Sequence, residues 1–451
     1  MESAQQDSLL HKQLFGDHFI WGVSTAAFQI EGATNIDGKG VSIWDTFTKR
    51  KGKILNNDNA EIASDFYNRY KEDIDLVHQL NIPNFRFSIS WTRVLPNGEG
   101  EVNPKGILFY NQIINYCLEK GIVPWITIYH WDLPQVFEEK GGWTNREIIN
   151  WFTYFVQVCA QNFGDRVTSW IVLNEPAVFT GAGYFFGIHA PGRVGIKNYL
   201  LAVHHAVLSI VAGAKTLRAI LPNARIGTTF SCSHIEPFSN KTRHINAAKR
   251  VDAFINRLFI EPILGMGYPV NEVPVLKGIE KIKQQGDEQN MQFAFDFIGL
   301  QNYTREIVKC SYFTPYVFAK LVKAAKRKVE TTSMGWEVYP PAIYEVIKKF
   351  NGYKQIKDIY ITENGSAFDD INANGVIDDT KRLEFLKNNL KQVLKAKAEG
   401  YMVNGYFAWT LTDNFEWAEG YHARFGLIYI DFKTLQRTVK SSGKWYAHFL
   451  K

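Results

Sequence analysis

Two glutamates far apart in the chain each close a β-rich apolar run. Glu175 ends Trp170-Ile171-Val172-Leu173-Asn174-Glu175-Pro176, and Glu363 stands in Ile359-Tyr360-Ile361-Thr362-Glu363-Asn364-Gly365. Asn364-Gly365 is a turn signal, and Pro176 disfavours a right-handed helical conformation at Glu175, so both carboxylates fall where strand gives way to loop. Two such deliveries suggest a paired-carboxylate site, the arrangement that cleaving an acetal by general acid/base and nucleophilic chemistry requires. Taken singly, each glutamate also reads as a solvated strand end, and Asn-Glu-Pro as a mere strand terminator. The remainder of the chain decides between these readings.

Strand candidates recur along the sequence: Phe19–Ser24, Asn84–Ser90, Ile122–Tyr129, the run to Glu175, Arg225–Phe230, Phe295–Asn302, the run to Glu363, and Tyr401–Trp409. Helical patterns separate them. After Asp58, Ile62, Phe66, Tyr70, Ile74 and Val77 share one face, and Asn103-Pro104 supplies a cap and first residue for a helix that stops at Gly121. Thr144 reads as the cap of a helix carrying Ile149, Phe152, Val156, Cys159 and Phe163, and a further helix ends near Leu221-Pro222. Eight strand-helix alternations without a linker predict an α/β protein: one catalytic domain over 1–451, a closed (β/α)8 TIM barrel, with residues 1–14 as an N-terminal extension. A doubly wound open sheet is the alternative, against which stands the lack of a Gly-rich dinucleotide turn after the first strand. Active sites of such barrels lie where the strands end, and Gln29, Arg86, His130, Trp131, Asn174, Glu175, Tyr303, Glu363 and Trp409 all fall at or just past those ends.

Of the 451 residues 46% are hydrophobic and 21% charged, enough for a large core. Aromatic residues reach 14%, so rings are available beyond packing to line a ligand cleft. A net charge of +6, not gathered in a tail, gives no support to nucleic-acid binding. Cys117, Cys159, Cys232 and Cys310 are widely spaced in or beside apolar runs, which reads as buried free thiols in a reducing compartment. The N-terminus shows neither a basic start nor an apolar signal core, and no later run reads as long and apolar enough to span a bilayer. The expectation is a cytoplasmic protein without a membrane partner. The basic stretch Lys320 to Lys328 reads as a solvated face.

Taken in order, Phe19-Ile20-Trp21-Gly22, Gln29-Ile30-Glu31-Gly32, Phe85-Arg86-Phe87-Ser88-Ile89-Ser90-Trp91, His130-Trp131-Asp132-Leu133-Pro134, Asn174-Glu175-Pro176, Ile361-Thr362-Glu363-Asn364-Gly365 and Trp409-Thr410-Leu411-Thr412-Asp413-Asn414-Phe415-Glu416-Trp417 resemble glycoside hydrolase family 1, its β-glucosidases in particular. The resemblance implies a retaining mechanism with Glu363 as nucleophile and Glu175 as acid/base, their carboxyl groups roughly 5–5.5 Å apart. It implies that Arg86 and Tyr303 contact the nucleophile, and that they would lower its pKa. It places Gln29, His130, Trp131, Asn174, Trp409, Glu416 and Trp417 on the sugar and Trp336 beneath the aglycone. A Glu416 carboxylate would repel a 6-phosphate, so an unphosphorylated glycoside is implied.

Gln301-Asn302-Tyr303 departs from the family's Asn-Tyr-Tyr, leaving the hydrogen bonding around the nucleophile open. The expected partner is a small β-glycoside or oligosaccharide, including aryl and alkyl glycosides, with glucose, fucose or galactose as the terminal sugar. The chain reads as a homo-oligomer candidate, and no cofactor or metal is expected. A catalytically dead carbohydrate-binding relative and a barrel lyase or aldolase are the rival readings. The first would need a damaged site, the second a Schiff-base lysine or a Gly-rich phosphate grip.

Overall fold

In the computed structural model, which describes residues 10–373 and 375–451, eight parallel strands close into a barrel. They are β1 (Ile20–Ser24), β2 (Asn84–Ser88), β3 (Val123–Tyr129), β4 (Ser169–Asn174), β5 (Arg225–Ser231), β6 (Phe297–Gln301), β7 (Ile359–Asn364) and β8 (Gly405–Trp409). Each pairs with its successor, and β8 returns to β1 with Ile20 opposite Gly405 and Ser24 opposite Trp409. Two strands start two or more residues later than their apolar runs suggest. Asp296 is drawn off to accept from the Ile226 amide at 2.8 Å, so β6 begins at Phe297, and β8 begins at Gly405 rather than Tyr401.

Outside lie α1 (Phe66–Gln79), α2 (Pro104–Glu119), α3 (Ile148–Phe163), α4 (Ile196–Ile220), α5 (Thr242–Asp252), α6 (Pro341–Phe350), α7 (Thr380–Ala398) and α8 (Ser441–Phe449). In α2 the Asn103 side chain accepts from the Lys105 amide at 3.2 Å, and Pro104 supplies the first turn, whose amide would otherwise lack a partner. In α1 Phe66, Ile74 and Val77 are buried, but Ile62 is exposed. Asp65 takes a left-handed φ of 57°, which ends the helical periodicity before it reaches Ile62. Thr144 does not cap α3, since it sits in a 3-10 turn, Gly142–Thr144, where its hydroxyl donates to the Gly141 carbonyl at 2.7 Å.

The 25-residue α4 corrects the sequence reading, being long and apolar enough to cross a bilayer by length and composition. Its apolar character serves the core: 72% of its most apolar window is buried inside the protein, against neighbours that include α3, β4 and β5. Of the extension, residues 1–9 lie outside the described residues. Leu10 is buried and Lys12 donates to the Leu450 carbonyl at 2.6 Å, just past α8.

The barrel interior changes character along its axis. At the strand starts Trp125, Phe297, Tyr360 and Phe407 form a plug of edge-to-face rings, 5.0 to 5.5 Å from the Trp125 centroid. Gly22 and Gly227 make room for it, because a Cβ there would lie 2.3 Å from the Phe407 and Phe297 rings. Above the plug comes a layer of hydroxyls, in which Thr229 and Thr362 meet at 2.5 Å and Ser24 donates to the Thr362 carbonyl at 2.8 Å. Charged and amide groups follow at the strand ends.

In β4 the register shifts between Ile171 and Asn174, and in β7 between Ile361 and Asn364. Strict alternation counted from Ile171 and Tyr360, which face the plug, would turn Asn174 and Glu363 away from the axis. The irregularities bring them back into the mouth.

Candidate active site

The mouth opens into a cavity of about 300 Å3. His130 and Trp131 just past β3, Glu175 just past β4, Tyr303 beyond β6, Glu363 on β7 and Trp409 on β8 line it. Trp336, Glu416 and Trp417 join them from loops. Gln29, Arg86 and Asn174 are fully buried and connect to this lining through hydrogen bonds. Every site residue read from the sequence therefore stands in or directly behind one cavity.

Glu363 is gripped from both sides. Arg86 Nη1 donates to Oε1 at 2.6 Å, and the Tyr303 hydroxyl donates to Oε2 at 2.6 Å. Arg86 is itself 0% exposed, so its remaining donors need partners. They find Thr127 Oγ1 at 2.9 Å, the Thr362 carbonyl at 3.2 Å and Asn174 Oδ1 at 2.5 Å. Both partners lower the Glu363 pKa as the sequence predicts, but burial prevails over them. Burial raises its carboxyl above the ordinary value, and Arg86 and Tyr303 pull it back without cancelling that rise.

Glu175 lacks such a grip and is pushed much further up, by burial first and then by the charge of Glu363, against a hydrogen bond from Ser231. The two acids are thereby ordered, Glu175 holding its proton more tightly. Glu175 also has a left-handed φ of 46°, as do its cavity neighbours Trp131 at 78° and Trp417 at 49°. Such strain in non-glycine residues gathers where a site over-determines the backbone.

Asn174 links the acids to the sugar side of the cavity. Its Oδ1 accepts from both Arg86 and Gln301, the latter at 2.8 Å, so its amide nitrogen is left to donate to His130 Nε2 at 3.0 Å. Burial, then Arg86, holds the imidazole pKa well below its ordinary value. The neutral ring must then carry its proton on Nδ1, a buried atom with no partner among the described residues. Gln29 Nε2 donates to Glu416 Oε2 at 3.2 Å, and Gln29 Oε1 is likewise buried without a partner among the described residues. Trp131 and Trp417 lie 4.5 Å apart, and Trp409 faces His130 at 6.0 Å with planes 23° apart. The result is a pocket in which apolar ring faces stand beside buried polar groups with unused hydrogen-bonding capacity, a pattern suited to a polyhydroxylated ring.

The sequence profile of glycosyl hydrolase family 1 matches residues 11–451. This chain belongs to that family. It is 44% identical to β-glucosidase A of Thermotoga maritima over 97% of this chain and 98% of that protein. It is 41% identical to the 1,4-β-D-glucan glucohydrolase of Thermotoga neapolitana, over 97% and 98% respectively. The structure of the Thermotoga maritima β-glucosidase in complex with deoxynojirimycin superposes with a TM-score of 0.92 at 42% identity, covering 96% of this chain and 98% of that one.

In this family 1 hydrolase Gln301 still reaches Asn174 from the position where the family has Asn. Burial raises the Glu416 carboxyl to about 8, with Glu363 adding to the rise. Among the described residues no Lys or Arg lines the cavity.

Ser231, Cys232, His189, Glu306, Met334 and Phe425 also line the cavity and were missed. Ser231 ends β5 and Cys232 follows it, so both were accessible to the strand-end rule. The others come from long connections without periodicity. All four cysteines are free, Cys310 only half-buried rather than fully so. In the basic stretch the lysines are exposed, while Arg327 pairs with Glu337 at 2.6 Å.

Proposed function

We propose that this chain is a retaining β-glucosidase that releases terminal non-reducing β-D-glucosyl residues by double displacement. The observation that carries the reading is the asymmetric treatment of two glutamates facing one cavity. Arg86 and Tyr303 hold Glu363 as an acceptor of two charge-assisted hydrogen bonds, while burial and the neighbouring charge keep a proton on Glu175.

Glu363 attacks the anomeric carbon as Glu175 gives its proton to the departing oxygen, which leaves a glycosyl ester on Glu363 and a carboxylate at position 175. Esterification removes the charge that raised the Glu175 pKa. Glu175 then takes a proton from water, the resulting hydroxide equivalent displaces Glu363, and the sugar leaves with its configuration retained. An alcohol in place of water gives transglycosylation. Asn174 and the Nδ1 proton of His130 face the ring hydroxyls near the reacting carbon, Gln29 and Glu416 bracket those on the far side, and Trp409 lies beneath the apolar face. Fucose and galactose differ from glucose only at positions that this far-side pair would contact, so β-fucosides and β-galactosides enter as slower substrates. Four free thiols support a reducing, cytoplasmic setting.

Glu363→Gly is expected to abolish hydrolysis of an aryl β-glucoside, and added azide should restore turnover with the α-configured glucosyl azide as product. Full residual activity without azide, or a β-configured azide adduct, would remove Glu363 from the role of nucleophile.

A further inference from the structure

Beside the catalytic cavity lies a larger hollow of about 770 Å3, and Val178, Ser231 and Ser233 line both. One wall is the segment that follows Glu175, including Ala177, Gly181 and Phe185, together with the start of α4. The facing wall is a hairpin, Arg305–Cys310 with Ala319–Leu321, whose tip is fastened where Arg250 donates to the Val317 and Phe318 carbonyls at 2.6 and 3.1 Å.

Phe185 touches ring partners on both sides, Tyr199 at 5.4 Å and Tyr316 on the hairpin at 6.3 Å. At the rim Phe186 is 63% and Phe313 98% exposed, an apolar edge that water would otherwise disfavour. Beyond four small hydroxyls, the phenols of Tyr199 and Tyr316 and the Lys320 amine, the lining is apolar.

We propose that this hollow is the aglycone site for an unbranched alkyl chain, so that the preferred substrates are long-chain alkyl β-glucosides rather than β-linked oligosaccharides. The inference rests on the hydrolase reading above and narrows it. Continuity through Val178 and the two serines places the hollow on the leaving-group side of Glu175, where an aglycone must emerge. A second sugar ring would bring several hydroxyls into a space with few partners, each a desolvation cost, whereas a hydrocarbon chain loses nothing polar there. The volume is of the size that encloses a drug-sized ligand.

The test is kcat/KM for methyl, butyl, hexyl and octyl β-glucosides below their micelle thresholds, beside cellobiose and cellotriose. Burial of a methylene predicts a gain of about threefold to fourfold per carbon until the hollow is filled, with octyl well above cellotriose. Phe186→Ser and Tyr316→Ser, both at the rim, should cut the octyl-to-methyl ratio tenfold or more and leave methyl β-glucoside turnover unchanged. Methyl and aryl glucosides cleaved with a flat chain-length series, or cellotriose preferred over octyl glucoside, would overturn the alkyl site while the hydrolase reading stands. No turnover of any β-glucoside would overturn both.

Discussion

Glu175 and Glu363 are the same acid, and what separates them is what each touches. Tyr303 contributes one of the two hydrogen bonds that favour the charged form of Glu363. In Tyr303→Phe the carboxyl should therefore rise further, moving the acidic limb of the kcat/KM profile to higher pH. The rate should fall about tenfold to hundredfold, the worth of a hydrogen bond to a charged group. An unmoved acidic limb would show that the phenol orients without tuning.

Glu416 carries a different consequence. Its folded-state pKa of about 8, against an ordinary 4.5, means that the unfolded chain gives up this proton first as pH rises. The group therefore costs stability progressively from about pH 4.5 to about pH 8. Glu416→Gln removes that cost, so its Tm should exceed that of the unaltered protein at pH 8 and match it at pH 4, while activity on glucosides drops. Equal Tm values at both pH values would contradict the buried, proton-holding environment. Stability given up for function in this way is common at active sites.

At the scale of elements the strands were legible because parallel barrel strands are buried on both faces and read as continuous apolar runs, as Ile122–Tyr129 and the run to Glu363 do. Their ends were less so. Period-2 alternation cannot foresee the register shifts in β4 and β7, and those shifts are what point Asn174 and Glu363 inward. Gly299 on β6 shows how tightly the layer beneath them is set, since a Cβ there would lie 2.7 Å from both Thr229 Oγ1 and Thr362 Oγ1. Gly299→Ala should push these hydroxyls apart and displace Thr362, the neighbour of Glu363. A loss of about 1–3 kcal/mol in stability is expected from overpacking, with kcat reduced even at temperatures where the variant is fully folded. Wild-type kcat in the folded variant would mean that the hydroxyl layer does not transmit position to Glu363.

Over the whole molecule, sequence order and spatial neighbourhood diverge most after β8, where short-range patterns say little. Trp409, Glu416 and Trp417 all come from the last part of the chain, and the loop that presents them is held by buried charges. Asp413 is 0% exposed and accepts from Lys440 at 2.7 Å and from Arg424 at 2.6 Å, while Arg382 of α7 binds Asp379 at 2.6 Å. The C-terminal helix closes the same arrangement onto β1, Tyr446 donating to the Gly22 carbonyl at 3.1 Å. Residue types alone gave Arg424 no role, because its partner precedes it across a turn. The connections over 233–290 and 306–333, from which the hollow beside the site is partly built, were, α5 aside, equally opaque for want of periodicity.

Burial alone would raise the Asp413 carboxyl, but Lys440, Arg424 and Arg382 outweigh it and hold it below the ordinary 3.8. Its stabilising contribution is therefore complete above about pH 3.8 and lost as the pH falls through the folded-state value. Lys440→Met leaves that carboxylate buried without its fully buried cation, so denaturant unfolding at pH 7 should show a loss of about 3–5 kcal/mol. Acid unfolding should begin at higher pH than in the unaltered protein. Activity should fall with stability, because Asp413 anchors the segment that carries Glu416. A variant that unfolds like the parent at both pH 7 and pH 4 would mean that these charges follow the fold of the last strand and helix and do not secure it.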